Sequence, residues 1–130
     1  MIVAIDRSTP VIVVVDDDVA VRNSLKFLLE IEGYVVRTFA DGADLLDAQD
    51  LPASACLIVD QNLPGLNGLE IVDQLRARRY CAPAILITTN PSPALRENAR
   101  RAGVAIVEKP LLENVLIDRV RTTISRPSGD

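Results

Sequence analysis

Three carboxylates stand where two apolar runs of the sequence end. Asp16 and Asp17 follow the run VIVVV at 11–15, and Asp60 follows the run ACLIV. Neighbouring carboxylates repel one another and take up protons unless a cation relieves the repulsion. Their hard oxygen atoms suit Mg²⁺, which keeps several waters and leaves a position for a phosphoryl oxygen. The residue types therefore predict a magnesium site, provided that the fold brings the two runs together.

Two further polar residues have the same relation to apolar runs. Thr88 ends the run PAILIT, and Lys109 comes two residues after the run VAIV. In open parallel sheets, functional groups gather beyond the carboxyl ends of the strands, where the strand order reverses. We therefore expect the threonine and the lysine to share a pocket with the carboxylates.

Taken singly, each of these residues also has a purely structural interpretation. Asp18 is expected to cap the N-terminus of a helix, and for the two aspartates before it capping or solvation is as good an explanation as metal binding. Asp60 alone could be a turn carboxylate. A lone threonine at a strand end or a lone lysine after one is usually structural or solvated. The combination at several strand ends is what favours a functional site.

Strands and helices alternate in the predicted secondary structure. Short apolar runs rich in β-branched residues predict strands at 11–15, 34–39, 55–60, 83–88 and 104–107, four of them buried on both faces. Apolar residues at helical spacing predict helices at 19–31, 43–49, 68–78, 94–102 and 111–124. Strict alternation implies an α/β fold, (βα)5, with a doubly wound parallel sheet of five strands and helices on both of its faces.

The helices differ in how well their apolar faces should anchor them. Spacing predicts that the last helix buries Leu112, Val115, Leu116, Val120 and Ile124. The helix at 94–102 has few apolar anchors beyond Leu95 and Ala99, so we expect it to be the least stable element. Gly33 and Gly103 stand where C-terminal caps would end two helices.

Composition limits the classes of function. A chain of 130 residues with 48% hydrophobic residues fits one compact domain. Its net charge of −4 lacks the basic footprint of a nucleic-acid or anionic-membrane binder, and the absence of histidine excludes Ser/His and Cys/His catalysis. No apolar run reaches the length of a membrane span, so a cytoplasmic location is expected. Cys56 and Cys81 lack metal-ligand spacing and are interpreted as packing residues.

Four motifs of this sequence resemble those of the receiver domains of two-component response regulators. In chain order they are VVVDDD at 13–18, LIVDQNLPGLNGLE at 57–70, PAILITT at 83–89 and VEKPL at 107–111. The resemblance extends over 11–124, and is greatest to receivers that precede helix-turn-helix output domains. It implies the flavodoxin-like strand order 2-1-3-4-5. It also implies a signalling domain at 10–125, between a flexible N-terminus at 1–9 and a flexible tail or linker start at 126–130.

The resemblance also implies a role for each acidic residue. Asp60 would be the phosphoacceptor, a nucleophile that takes a phosphoryl group from the phosphohistidine of a kinase or a phosphotransfer protein. Asp16 and Asp17 would hold Mg²⁺ together with Asp60 and the backbone carbonyl of Asn62. The domain would thus be a signalling switch rather than a turnover enzyme, catalysing only its own phosphotransfer and dephosphorylation.

The remaining site residues would contact the phosphoryl group and transmit its arrival. By resemblance, Lys109 would pair with one phosphoryl oxygen, Thr88 would donate its hydroxyl to another, and the Lys109–Pro110 peptide bond would be cis. The sequence departs from many receivers at Ile106, where an aromatic ring usually changes position on activation. We therefore expect the conformational change to run through the loop after Thr88 instead.

The partners implied are a kinase or phosphotransfer protein, and an output domain, output protein or second copy bound through the face formed by 89–107 and 111–124. No nucleic acid or membrane is expected to bind this domain. Two alternatives remain open: a receiver-like interaction module that is never phosphorylated, and a small phosphatase of the haloacid dehalogenase type with an aspartyl-phosphate intermediate. The phosphatase is disfavoured because that family needs a nucleophile on its first strand and a cap for substrate.

Overall fold

The computed structural model describes residues 10–53, 55–111 and 113–125, in which strands and helices alternate. The strands are β1 (Val11–Val15), β2 (Val35–Phe39), β3 (Ala55–Asp60), β4 (Ala84–Thr88) and β5 (Ala105–Glu108). The helices are α1 (Val19–Ile31), α2 (Gly42–Asp47), α3 (Gly68–Ala77), α4 (Pro93–Arg101) and α5 (Glu113–Ser125). Every predicted element is present, with its ends within two residues of the prediction. The chain ends that were expected to be flexible, 1–9 and 126–130, lie outside the described residues.

All five strands form one parallel sheet in the order β2-β1-β3-β4-β5. Val11 of β1 is opposite Val35 of β2 on one side and Ala55 of β3 on the other. The chain thus leaves β1 in one direction to form β2 and returns past it to form β3, so the order reverses between β1 and β3. The predicted fold class and strand order are confirmed, and the carboxyl ends of β1 and β3 flank the reversal point.

Two apolar cores cover the two faces of the sheet, because successive strand residues point to opposite sides. On one face, Ile12 and Val14 of β1 pack with α1 and α5. On the other, Val13 and Val15 pack with α2, α3 and α4. The helical residues of the first core are Leu25, Leu29, Leu116, Ile117 and Val120. Those of the second are Leu45, Leu46, Ile71, Val72, Leu75 and Ala99.

β3 and β4 are buried along their length, and β1 is buried from Ile12 to Val15. β2 and β5 are the edges of the sheet, where Val35 is 38% exposed and Ala105 and Ile106 are partly covered. The expectation that four strands are buried on both faces is therefore wrong by one. An edge strand has a neighbour on one side only, so the helices of the two layers do not cover it completely.

The ends of the helices are set by local hydrogen bonds. Asp18 caps α1, as predicted, by accepting hydrogen bonds from the amides of Ala20 and Val21 at 2.9 and 3.3 Å. Gly33 and Gly103 follow α1 and α4 with φ of 96° and 68°, a conformation that a residue without Cβ adopts at little cost. The predicted helix ends at these glycines are confirmed.

Two expectations about side-chain burial are wrong. In α5, Val115 is 46% exposed, and Ile117 is buried instead; Leu112, also expected in that apolar face, lies outside the described residues. Of the two free cysteines, Cys56 is buried in the sheet, where loss of solvation raises the pKa of its thiol to about 12, whereas Cys81 is exposed.

Among the described helices, none is long and apolar enough to cross a membrane.

Candidate functional site

Asp16 and Asp60 lie side by side beyond the reversal point of the sheet. Val15 of β1 is opposite Val59 of β3, so the residues that follow them emerge next to each other. Asp16 is 0% exposed and Asp60 is 3% exposed, while Asp17 is exposed to solvent. One carboxylate oxygen from each of the three lies within 4.8 Å of the others. The sheet therefore assembles the acidic cluster that the sequence predicted.

Each buried carboxylate has one oxygen engaged by the backbone. Asp16 Oδ1 accepts a hydrogen bond from the amide of Asp18 at 2.9 Å, and Asp60 Oδ1 accepts one from the amide of Asn62 at 3.0 Å. These bonds orient both side chains within the turns that follow their strands. The second oxygen of each carboxylate takes no part in these bonds.

The second oxygen of Asp16 is buried without a hydrogen-bond partner in the described part of the chain. Burial raises the pKa of Asp16, the nearby Asp60 raises it further, and the hydrogen bond from Asp18 opposes the shift. Buried polar atoms are normally hydrogen-bonded, and an oxygen without such a bond beside two other carboxylates is what a hard cation would satisfy. The donor set thus fits a divalent metal ion bound by oxygen.

Lys109 places a positive charge beside the two buried carboxylates. Its Nζ lies 3.4 Å from Oδ2 of Asp60 and 3.9 Å from Oδ2 of Asp16, the second distance being that of an ion pair rather than a hydrogen bond. Its amide donates to the carbonyl of Thr88 at 2.8 Å, and its peptide bond to Pro110 is cis, as the resemblance implied. The lysine is therefore shared between the two buried carboxylates.

Thr88 contributes to the site from the end of β4. It is 2% exposed, and its hydroxyl accepts a long hydrogen bond of 3.5 Å from the side-chain amide of Asn62. All the residues singled out in the sequence are thus brought to one edge of the sheet. The metal-binding role assigned to the Asn62 carbonyl remains a prediction, since the contacts of this residue are made by its amide and side chain.

The loop after β3 brings α3 close beneath Asp60. A Cβ atom at Gly68 would lie 2.7 Å from the carbonyl oxygen of Asp60, so only glycine fits there without displacement. Gln61 also holds the start of α3 close to Asp60. Its carbonyl accepts a hydrogen bond from the amide of Gly68 at 3.2 Å, and its Oε1 accepts one from the amide of Leu69 at 2.9 Å. The backbone of the nucleophile candidate is held by the start of a helix.

One contact of the site was missed by sequence reasoning. Arg22 of α1 donates a hydrogen bond from Nη1 to the backbone carbonyl of Asp16 at 2.7 Å. An arginine at the start of a helix that follows an acidic turn was the available signal. The spacing of this arginine does not by itself predict the contact, because a long side chain in that position usually extends into solvent.

A second surface lies beside the site, over β5 and α4. An ion pair between the side chains of Arg96 and Glu108 joins α4 to β5. Within the described part of α4, Ala99 alone is fully buried, in agreement with the expected scarcity of apolar anchors. Ile106 is partly buried against the core beneath α4, and a shallow groove separates β5 from α5.

Comparisons with known proteins agree with this geometry. Residues 12–121 match the family model described as the response regulator receiver domain. The chain is 37% identical over 114 residues to the transcriptional regulatory protein FixJ of Azorhizobium caulinodans, covering 87% of this chain and 54% of the relative. It is 35% identical over 119 residues to the C4-dicarboxylate transport transcriptional regulatory protein DctR of Rhodobacter capsulatus, with 89% and 60% covered. The chain thus spans little more than half the length of these relatives.

A solved structure shares both fold and sequence with the chain. The crystal structure of FixJ-N superposes with a TM-score of 0.79 at 27% identity, covering 92% of this chain and 97% of that one. Receiver domains act in phosphorylation-dependent two-component signalling and are signalling domains rather than classical enzymes. With a family match over residues 12–121 and an acidic cluster at the reversal point of its sheet, the chain belongs to the response regulator receiver domain family.

Proposed function

We propose that this chain is a signalling switch that accepts a phosphoryl group on Asp60 from the phosphohistidine of a kinase or of a phosphotransfer protein. The observation that carries the proposal is the position of the Asp60 carboxylate. One of its oxygens is held by the amide of Asn62, and the other faces the ammonium group of Lys109. A carboxylate so oriented is ready to attack phosphorus from a fixed direction.

Asp16, Asp17 and Asp60 would hold Mg²⁺, with the backbone carbonyl of Asn62 as a further ligand. The clustering of the three carboxylates supports this assignment, as does Oδ2 of Asp16, which has no hydrogen bond to the described residues. A bound cation would neutralise the negative charge that otherwise keeps a phosphoryl group away from a carboxylate.

The transfer itself exchanges one bond for another. An oxygen of Asp60 forms a bond to phosphorus while the bond from phosphorus to the donor imidazole breaks, and the imidazole keeps the electron pair and takes up a proton. Lys109 pairs with one transferred oxygen and the hydroxyl of Thr88 donates to a second. Hydrolysis later returns the site to its starting state, so the only reactions assigned to the domain are its own phosphorylation and dephosphorylation.

Output is assigned to the face formed by 89–107 and 111–124. Thr88 is at the start of the loop that leads into α4, and its hydroxyl would leave Asn62 to bind the phosphoryl group. Because α4 has a single fully buried residue among those described, it can shift at low cost when that loop moves. A partner that prefers the shifted face would then bind more tightly. An output domain, a separate output protein or a second copy is the proposed partner.

The names of the relatives point to a transcriptional output. Both FixJ and DctR are called transcriptional regulatory proteins, and this chain covers 54% and 60% of their lengths. We assign any contact with DNA to a helix-turn-helix domain acting with this one. The receiver itself carries a net charge of −4 and is not assigned a nucleic-acid surface.

Intact-mass measurement after incubation with acetyl phosphate and Mg²⁺ tests the proposal. The wild-type chain should gain the mass of one phosphoryl group, and Asp60→Asn should gain none. Asp73→Asn, which removes an exposed carboxylate of α3 away from the site, is the matched control and should react like the wild type. Equal reaction of Asp60→Asn would overturn the assignment of the phosphoacceptor. Failure of the wild type to react would favour a receiver-like module that is not regulated by phosphorylation.

A further inference from the structure

The peptide unit between Asp16 and Asp17 is held by a side chain from α1. Arg22 Nη1 donates to the carbonyl oxygen of Asp16 at 2.7 Å, six residues earlier in the chain. The amide of Arg22 meanwhile donates to the carbonyl of Asp18 at 3.0 Å, as part of the first turn of the helix. The half-buried side chain therefore bends back over the N-terminus of α1. Within the described part of the chain it forms no ion pair with a carboxylate, so its contact is with the main chain.

Of the three clustered carboxylates, that of Asp17 is held by the fewest contacts with the described residues. Asp16 and Asp60 are buried, and each accepts a hydrogen bond from a backbone amide. Asp17 is exposed, and its carboxylate has no hydrogen bond or ion pair to the residues that the structure describes. Its direction therefore depends on its main chain. The carbonyl that Arg22 holds belongs to the peptide unit that leads into Asp17.

We infer that Arg22 is a positioning residue that fixes the Asp16–Asp17 peptide and so presents the Asp17 carboxylate to the magnesium site. This inference rests on the proposed function, because it takes the acidic cluster as the metal site. Groups that orient metal ligands without touching the metal commonly change metal affinity by about 10-fold to 100-fold when removed. Arg22 acts on one ligand of the cluster only, so an effect at the lower end, about 10-fold, is expected.

Positioning and simple electrostatics predict opposite results for the same substitution. The guanidinium of Arg22 carries a positive charge next to the main chain of the acidic turn and repels an arriving divalent cation, so removing its charge alone would tighten Mg²⁺ binding. Loss of positioning would weaken Mg²⁺ binding, because Asp17 would have to be ordered at the moment of binding. The sign of the change in affinity therefore separates the two explanations.

The experiment is a Mg²⁺ titration of the wild-type chain, Arg22→Met and Lys26→Met by isothermal calorimetry. Lys26 is the matched control, since it is a cation one turn further along α1 that pairs with Glu30 and not with the acidic turn. Arg22→Met should bind Mg²⁺ about 10-fold more weakly, and Lys26→Met should bind as the wild type does or slightly more tightly. Arg22→Lys, which keeps the charge but shortens the reach, should also bind more weakly and serves if the methionine variant unfolds.

A measurement without metal checks the same contact. The amide resonance of Asp17 should shift in Arg22→Met and not in Lys26→Met, because the carbonyl of its own peptide unit loses a hydrogen bond. Wild-type Mg²⁺ affinity or tighter binding in both Arg22 variants would overturn the inference and leave the proposed function intact. Absence of Mg²⁺ binding by the wild type would instead overturn the magnesium assignment on which the inference rests.

Discussion

The ammonium group of Lys109 lies 3.4 Å from Oδ2 of Asp60, although 49 positions separate the two residues in the chain. Their strands are not neighbours in the sheet, because β4 lies between β3 and β5. The lysine therefore reaches across the end of β4, where Thr88 is located. Through Asp16 and Asp60, the Lys109 side chain connects the ends of β1, β3 and β5. Its removal should impair transmission of the phosphorylation signal more than the phosphorylation reaction itself.

Lys109→Ala should still accept a phosphoryl group, more slowly, but should transmit the event poorly. The substitution removes a charged contact to the phosphoryl group and leaves Asp60 and the other carboxylates in place. Hydrogen exchange across 89–102 should then change less on phosphorylation than in the wild type. Lys26→Ala, at the exposed side of α1, is the control. A phosphorylated Lys109→Ala protein with the full wild-type change in exchange would contradict the role given to the lysine.

Asp16→Asn should raise the free energy of unfolding of the metal-free protein at neutral pH. Burial raises the pKa of Asp16 above its ordinary value of 3.8, so folding favours the protonated form of this carboxyl group. Its contribution to stability is fully present below pH 3.8 and declines as the pH rises through the raised pKa, by about 1.4 kcal/mol for each pKa unit. Asparagine does not titrate and escapes this loss.

Urea unfolding of Asp16→Asn and of the wild type, measured from acid to neutral pH without metal, checks this sign. The two proteins should be close in stability at the acid end and diverge as the pH rises. Added Mg²⁺ should then stabilise the wild type and have little effect on the variant. A stability difference that stays constant with pH would show that ionisation of Asp16 is not its cause.

Gly68→Ala should destabilise the protein by about 1–3 kcal/mol, since the new methyl group would overlap the carbonyl of Asp60. Displacement of this backbone should also slow the phosphorylation of Asp60. Gly65→Ala is an informative comparison, because that glycine has φ of 78° but open space around its Cβ position. It should cost about 1 kcal/mol through backbone strain alone and leave the phosphorylation rate unchanged. Equal phosphorylation rates for the two variants would contradict the expected effect of Gly68 on the reaction of Asp60.

Phosphorylation should slow hydrogen exchange across 89–102 and leave 19–31 little changed. α4 has few buried contacts, so its opening free energy is expected to be small and sensitive to the position of the loop after Thr88. In α1, Leu25 and Leu29 are both buried in the core. The comparison is between the Mg²⁺-bound and phosphorylated forms. Equal protection of 89–102 in both, with changes elsewhere, would place the output on another surface.

The site was predictable because its residues are tied to strand ends. Once β1 and β3 are parallel neighbours, Asp16 and Asp60 must emerge side by side, and the apolar runs before them fix where the strands stop. The cap at Asp18 is predictable for the same reason, being a local hydrogen bond within a turn. Periodicity and short-range chemistry locate the strand ends and the cap, whereas the pairing of β1 with β3 was implied by the resemblance to receiver domains.

Features that depend on neighbouring elements were less predictable. Val115 and Ile117 lie two positions apart in α5, and spacing alone does not settle which of them faces the sheet, since this depends on how the helix rotates against the strands. The side chain of Arg22 could extend into solvent or bend back to the acidic turn, and only the packed structure selects the second. In both cases tertiary contacts decide between local alternatives of similar energy.

The different environments of the two cysteines make the chain convenient for spectroscopy. Cys56 is buried with a pKa of about 12, so its thiol resists alkylation, whereas Cys81 is exposed and precedes the amino end of β4. The acidic cluster lies beyond the opposite, carboxyl end of the strands. A maleimide fluorophore or spin label should therefore attach selectively to Cys81 of the natural sequence. Distances from that label to a second one, attached to a cysteine introduced on α4, would follow the movement of α4 while the Cys81 label stays at the end of the sheet opposite the acidic cluster.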